Sequence, residues 1–148
     1  RIGTQLIEAA RVHNKKLGKK EAGQKALALL ERVGIKEAER RMKQYPHEFS
    51  GGQRQRVFIA RLIAQEAEIY FMDEPLAGID KVTEKVIIDF IKEEQKKGKT
   101  AVIVHHDLAT IREYFDHVVI INKKVVAEGR VSEAFTNENL EKAMMKNV

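Results

Sequence analysis

The first 45 residues show the spacing of amphipathic helices and contain no run typical of a β-strand. Thr4 is placed to cap a first helix. The apolar side of that helix carries Leu6, Ile7, Ala10 and Val12. A second helix is predicted at residues 19–33, where Gly34 would end it, and a short third helix at residues 37–43. The N-terminal third is therefore predicted to be helical.

From Ser50 onward, helical patterns alternate with short apolar runs that are typical of buried strands. Ser50 is suited to cap a helix at residues 51–65. Further helices are predicted at 81–97 and 108–115, and strands at 68–72, 100–104 and 117–121. A hairpin turn at 122–123 leads into 125–127, and two short helices follow within 131–145. This alternation predicts an α/β fold with a parallel sheet.

Composition and charge narrow the possible functions. The 148 residues are 43% hydrophobic and 33% charged, which excludes a disordered polar chain, and no apolar run approaches the roughly 20 residues of a membrane span. The absence of cysteine excludes disulfides and thiolate metal sites. The net charge of +5 is best explained by solvated helix faces, because no aromatic residues interleave with the basic clusters as in single-strand binders.

Two adjacent acids, Asp73 and Glu74, follow the apolar run at residues 68–72. They would lie at the carboxyl end of a strand, the edge where parallel sheets bind ligands. An Asp at that edge can hold Mg²⁺ through water, and the next acid can orient or deprotonate an attacking water. Two solvated loop acids are the alternative interpretation of the pair.

Two further segments contain candidate ligand-binding residues. Ser50-Gly51-Gly52-Gln53 begins a predicted helix, whose free N–H groups and dipole attract anions, and the glycines let phosphate oxygens approach the backbone. An ordinary helix cap is the alternative. His106 follows the strand at 100–104, within reach of a phosphate or a catalytic water. Its neighbour His105 would point the opposite way, which disfavours a shared metal ion.

In their order and spacing, these segments resemble the ABC transporter ATPase family over nearly the whole chain. By that resemblance, residues 50–53 are the signature motif, which contacts ATP bound to the opposite subunit. Asp73 would be the magnesium acid and Glu74 the catalytic base. Asp80 corresponds to the D-loop Asp that communicates across the dimer, and His106 to the switch His that contacts the γ-phosphate.

The resemblance also implies a fold, a domain organisation and partners. The expected fold is a partial P-loop NTPase (RecA-like) parallel sheet with an α-helical ABC signature subdomain. Residues 1–48 would be the helical subdomain that meets the membrane permease, 49–130 the signature helix and catalytic part of the core, and 131–148 a helical tail. The resemblance implies ATP and Mg²⁺ as cofactors, a second ATPase subunit as partner and no nucleic acid. It implies a peripheral position on the cytoplasmic face of the membrane.

The sequence contains no phosphate loop of the form G-x-x-x-x-G-K-[ST]. The nearest match, Gly98-Lys99-Thr100, fails because the first glycine would fall at Glu93 and because it runs from a helix into a strand. The chain also begins at Arg1 rather than Met. We therefore expect a fragment that starts just after the family's Q-loop, with weak ATP binding and negligible ATPase activity when alone.

Two groups of importer ATPases resemble different parts of the chain. Residues 2–57, notably 44–49 and 54–56, are similar to peptide and nickel importers, and the remainder from Ala64, notably 69–80 and 104–108, to manganese, zinc and iron importers. This favours part of an ATPase that couples ATP hydrolysis to uptake of a metal ion or an oligopeptide. The alternative is a non-catalytic chimeric module, joined near residues 56–65, that supplies the signature motif in trans.

Overall fold

A computed structural model describes residues 1–145, in two compact units, one of Arg1–His105 and a second that begins at His106. The helices of the first unit are α1 (Ile2–Arg11), α2 (Lys19–Arg32), α3 (Ala38–Arg41), α4 (Gly51–Ala64) and α5 (Lys81–Lys96). Its strands are β1 (Ile69–Asp73) and β2 (Thr100–Val104), and a 3-10 turn at Pro46–Glu48 precedes α4. Within residues 1–145, no helix is long and apolar enough to cross a membrane.

The helical part of the first unit is built on α1, α2 and α4, which pack against one another. Each contributes a large aliphatic side chain with no exposed surface: Leu6, Leu30 and Ile59. Burial of one such side chain stabilises a fold by about 1.5–3 kcal/mol. The predicted helical N-terminal third is therefore held by a core of its own, and α4 is the element that links it to the sheet.

The start of α1 differs from the sequence-based prediction. Thr4 is not the cap, because the helix begins two residues earlier, where the N–H of Ile2 donates to the carbonyl of Gln44 (2.8 Å) and that of Gly3 to Met42 (2.8 Å). Backbone carbonyls some 40 positions away thus satisfy the first amides of the helix. The residues that α1 buries are Ile2, Gly3, Leu6 and Ala9, whereas the predicted Ile7 and Ala10 are half-buried and Val12 is 51% exposed.

Local capping signals set the ends of the other long helices as predicted. Ser50 forms a capping box at the start of α4, with its side-chain oxygen accepting from the N–H of Gln53. Gly34 and Gly98 follow the last turns of α2 and α5 with φ of +81° and +88°. These backbone conformations favour glycine because it has no β carbon.

The parallel sheet of the first unit is confirmed, and it consists of β1 and β2, paired in register from Ile69 with Thr100 to Asp73 with Val104. One face of β1 buries Tyr70 and Met72 beneath residues of α4 and α5. The opposite face exposes Ile69, Phe71, Val102 and Val104. The prediction of buried strands is therefore wrong for one face, because no described residue of this unit covers it.

The second unit contains α6 (Ile111–Tyr114), β3 (His117–Asn122), β4 (Lys124–Arg130), α7 (Val131–Ala134) and α8 (Asn137–Met144). Strands β3 and β4 form the predicted hairpin, with Lys123 at its turn in the left-handed region (φ 63°). Ile111, Val131 and Phe135 form its buried core. The two short helices predicted at 131–145 are confirmed, and residues 146–148 of the predicted tail lie outside the described residues.

The helix predicted at residues 108–115 is wrong in its first half. That half is a 3-10 turn, Leu108–Thr110, and the α-helix starts at Ile111. The Asp107 carboxylate accepts from the N–H of Ala109 (3.1 Å), and the Thr110 hydroxyl donates to the Asp107 carbonyl (3.1 Å). Local side-chain bonds of this kind compete with helical hydrogen bonding. The predicted domain boundaries at residues 48 and 130 stay predictions.

Candidate functional site

Residues 50–53, called the signature segment after the motif they resemble, form the cap and first turn of α4. Ser50 Oγ accepts from the N–H of Gln53 (3.3 Å), and Gln53 Oε1 accepts from the N–H of Ser50 (3.1 Å). This capping box uses two backbone donors, whereas the amides of Gly51 and Gly52 belong to the first turn, where helices offer no carbonyl partner. The segment therefore combines a fixed backbone with the partial positive charge of a helix start.

The two glycines of this segment have different surroundings. A β carbon on Gly51 would have no atom within 4 Å, whereas one on Gly52 would lie 3.3 Å from Thr83 Oγ1 and 3.4 Å from Asp80 Oδ1. The sequence suggested that both glycines serve phosphate approach. Of the two, Gly51 borders open space, and Gly52 is required by the close approach of the start of α5. The contact of both glycines with a phosphate stays a prediction.

The residue before Ser50 anchors the segment to the helical core. Phe49 is 3% exposed, and the Arg41 guanidinium lies over its ring at 5.2 Å. Arg54 Nε donates to the carbonyls of Phe49 and Pro46, both at 3.1 Å. The backbone that enters the signature segment is thus held from two sides.

Asp80 caps α5 beside this segment. Its Oδ2 accepts from the N–H of Thr83 (3.1 Å) and its Oδ1 from the Thr83 hydroxyl (2.6 Å). These bonds, with the positive charge of Arg56, hold the pKa of Asp80 below its ordinary value. Asp80 lines one open groove together with the whole signature segment, residues 50–53. The structure therefore brings these predicted site residues together.

Asp73 and Glu74 lie at the carboxyl end of β1, as the sequence predicts. Asp73 is exposed, and Glu74 is half-buried with φ of 49°, a left-handed conformation that costs a non-glycine residue on the order of 1–3 kcal/mol. The N–H of Glu74 donates to the carbonyl of Val104 (2.9 Å), and the Gln55 side chain donates to the carbonyl of Pro75. Hydrogen bonds from β2 and α4 thus hold the backbone on both sides of this conformation.

The geometry fits the expected cofactors. Mg²⁺ takes one or two protein carboxylates and completes its shell with water and phosphate oxygens. The exposed carboxylate of Asp73 suits that habit, and among residues 1–145 no cluster of three or more metal-ligating side chains offers a protein cage instead. The open space at Gly51, in front of a helix N-terminus, is suited to a phosphate group.

The two histidines lie at the division between the units. His105 is the last residue of the first unit and is half-buried, whereas His106 is exposed and begins the second. Neither belongs to β2, which ends at Val104. The contact of His106 with a γ-phosphate stays a prediction.

Three polar residues that sequence reasoning missed connect the parts of the site: Gln55, Arg56 and Thr83. Gln55 reaches Pro75, as described above, and Arg56 Nη2 donates to Thr83 Oγ1 (3.0 Å). Asp80-x-x-Thr83 is a helix N-cap pattern, so the role of Thr83 was recoverable from the sequence. The contacts of Gln55 and Arg56 depend on loops that lie 20 or more positions away along the chain, and no local signal predicts them.

Comparison with curated proteins and family models gives strong matches. A family model described as ABC transporter matches residues 3–77. The manganese transport system ATP-binding protein MntB of Listeria monocytogenes is 50% identical over 127 residues, which cover 86% of this chain and 51% of that protein. The zinc transport system ATP-binding protein TroB of Treponema pallidum is 52% identical over 96 residues, 65% of this chain and 36% of that protein. The chain spans about half the length of the curated relatives it matches, or less.

Solved structures agree with these matches. An ATP-binding subunit of an ABC transporter superposes with a TM-score of 0.80 at 25% identity, covering 97% of this chain and 62% of that one. A dimeric bacterial ABC transporter cassette gives 0.74 at 26% identity, covering 88% and 56%. The predicted RecA-like α/β fold with a parallel sheet is confirmed. Together with the arrangement of residues 50–53 beside Asp80, these matches place the chain in the ABC transporter family.

Proposed function

We propose that this chain is the signature-bearing part of an ATP-binding subunit of an ABC importer that uses ATP hydrolysis to drive metal-ion uptake. The observation that carries the proposal is the groove at the start of α4. There the capped signature segment, with open space at Gly51, lies beside Asp80, the D-loop residue. The open space at Gly51 leaves room for a phosphate beside Asp80, which supports a ligand-binding role for this helix start in addition to its capping role.

Within this proposal each site residue has a distinct role. Ser50, Gly51 and Gln53 present hydrogen-bond donors to the phosphates of a nucleotide held mainly by an opposite subunit. Asp73 would hold Mg²⁺, which would supply positive charge against the developing phosphate charge. Glu74 accepts the proton of the attacking water, and its fixed backbone keeps the carboxylate directed at one position. His106, by the family resemblance, would donate to the terminal phosphate.

The class of solute is proposed from relatives. Proteins named for manganese and zinc transport match up to 86% of the chain at 50% identity, which supports a divalent transition-metal ion rather than an oligopeptide. Residues 1–48 would contact the permease, and a second ATPase subunit would complete two nucleotide sites. This assignment puts the protein on the cytoplasmic face of the membrane.

The sharpest test is replacement of a segment in a working relative. The region of Listeria monocytogenes MntB that aligns with this chain is exchanged for it, and ATPase activity and manganese uptake into cells are measured. We expect activity in both assays, because the relative supplies the phosphate loop. Glu74→Gln in the hybrid should abolish hydrolysis while leaving ATP binding intact, and Glu113→Gln, an exposed acid of α6, should change neither.

The outcomes separate the proposal from its alternative. A folded hybrid that binds ATP but does not hydrolyse it, or one that hydrolyses ATP equally well with Glu74→Gln, would contradict a catalytic role. The alternative of a non-catalytic module that supplies the signature motif in trans is supported by the absence of a phosphate loop from these 148 residues. It predicts that the unmodified chain stimulates a complete ATPase subunit, and that Glu74→Gln does not reduce this stimulation.

A further inference from the structure

Arg56 lies one helical turn beyond Gly52 on the same side of α4. That side faces the start of α5, since Gly52 approaches Thr83 and Asp80 and the Arg56 guanidinium donates to Thr83. The glycine allows the close approach of the two helices, and the arginine provides a hydrogen bond across it.

The Thr83 hydroxyl connects two charged groups. It is buried in a residue that is 3% exposed, accepts from Arg56 Nη2 (3.0 Å) and donates to Asp80 Oδ1 (2.6 Å). Bonds to charged groups are roughly twice as strong as neutral ones, and consecutive bonds polarise one another. The guanidinium therefore acts on the Asp80 carboxylate through an oriented hydroxyl.

The other arm of the guanidinium reaches α2. Arg56 Nη1 donates to the carbonyl of Gly34 at 3.1 Å and to that of Val33 at 3.4 Å. Carbonyls at a helix C-terminus carry partial negative charge, which suits a cation. One planar side chain thus joins the end of α2 to the start of α5, and a Lys could not reproduce this fork.

We propose that Arg56 is a positioning residue that, through Thr83, holds Asp80 in a fixed relation to the signature segment. This role rests on the proposed function, because a fixed relation between Asp80 and the signature segment matters only if both act at one nucleotide interface. With the link intact, α4 and the cap of α5 move as one body. Without it, the cap bond between the Thr83 N–H and Asp80 weakens and the carboxylate loses its fixed relation to Gly52.

The test uses the chain itself, without nucleotide. The pKa of the Asp80 carboxyl and the hydrogen-exchange rate of the Thr83 amide are measured by NMR in the parent chain and in Arg56→Met. We expect a higher pKa for Asp80 and roughly tenfold faster exchange of the Thr83 amide, the effect of losing one charged hydrogen bond. Arg54→Met is the matched control, because Arg54 lies on the same helix and donates to carbonyls but not to Thr83.

A double-mutant cycle tests whether Arg56 acts on Asp80 through the Thr83 hydroxyl. In Thr83→Val, Arg56→Met should raise the pKa of Asp80 by much less than it does in the parent chain, because only the through-space effect of the Arg56 charge is then lost. Thr83→Ser should keep the parent behaviour because it keeps the hydroxyl. Equal effects of Arg54→Met and Arg56→Met, or a full Arg56 effect in the Thr83→Val background, would overturn the proposal. Should Arg56→Met not fold, Arg56→Gln, which removes the charge and cannot bond both Thr83 and the end of α2, gives the same comparison. Parent-like values for Asp80 and Thr83 in that variant would overturn the proposal too.

These measurements stand apart from the catalytic proposal. They use no ATP, so inactivity of the hybrid described above would leave them unchanged. Conversely, the hybrid could be active while Arg56→Met in the chain itself left both NMR quantities at their parent values. That result would refute the positioning role alone.

Discussion

The contrast between Gly51 and Gly52 gives a direct test of how the groove is built. Each glycine is replaced by alanine in turn, within the first turn of α4. At Gly51 the new methyl group meets open space, and at Gly52 it meets Thr83 Oγ1 at 3.3 Å and Asp80 Oδ1 at 3.4 Å. The two variants make the same chemical change in adjacent positions, so any difference between them comes from the surroundings.

The expected magnitudes follow from three effects. Alanine is favoured over glycine in a helix by up to about 1 kcal/mol, so Gly51→Ala should be neutral or slightly stabilising. Gly52→Ala has the same gain, but the methyl group displaces the cap of α5, which costs about 1 kcal/mol, and crowds a packed contact, which costs about 1–3 kcal/mol. Because the helix-propensity gain is common to both variants, we expect Gly52→Ala to be less stable than Gly51→Ala by about 2–4 kcal/mol.

Urea unfolding followed by circular dichroism measures this difference, with hydrogen exchange at Thr83 as a local probe. The Thr83 amide should exchange faster in Gly52→Ala alone. Equal stability of the two variants, with unchanged exchange at Thr83, would refute the idea that the start of α5 dictates Gly52. In the hybrid ATPase we expect Gly51→Ala to lower activity despite its stability, because the methyl group fills the space proposed for a phosphate.

Three further predictions concern the core, the pH dependence and the uncovered sheet face. Leu6→Ala should lower the free energy of unfolding by about 2–5 kcal/mol, and Val12→Ala, at an exposed site, by less than about 0.5 kcal/mol in urea titrations. Because the folded-state pKa of Asp80 lies below 3.8, its stabilising contribution is complete above that pH and is lost as the pH falls through the folded-state value. Asp80→Asn should therefore show a smaller loss of stability between about pH 5 and pH 2. Phe71→Ser, at a position 74% exposed, should reduce self-association in sedimentation experiments without lowering stability.

Much of the helical architecture was predictable because local signals set it. Ser50, Gly34 and Gly98 mark helix ends by capping chemistry that acts within a few residues, and the observed bounds follow them. The start of α1 was not predictable, because its first amides bond to the carbonyls of Met42 and Gln44. A tertiary cap of this kind has no local sequence pattern.

The site was predictable to the extent that motifs identify it. Asp73, Glu74 and the signature segment occupy the strand end and helix start where the sequence places them. Apolar patterning correctly located β1, but it reports only that a face avoids water. It cannot distinguish a face that helices of the same unit cover, as over Tyr70, from one that no described residue of that unit covers, as at Phe71.

The fork of Arg56 also restricts which sequences can evolve at a distant position. A β carbon at Gly34 would lie 2.7 Å from Arg56 Nη1, and φ of +81° independently disfavours other residues there. Loss of Arg56 removes the first restriction and leaves the second, which Asn tolerates best. We expect related sequences to have replaced position 56 before position 34, and those with a non-glycine at 34 to carry a shorter side chain at 56.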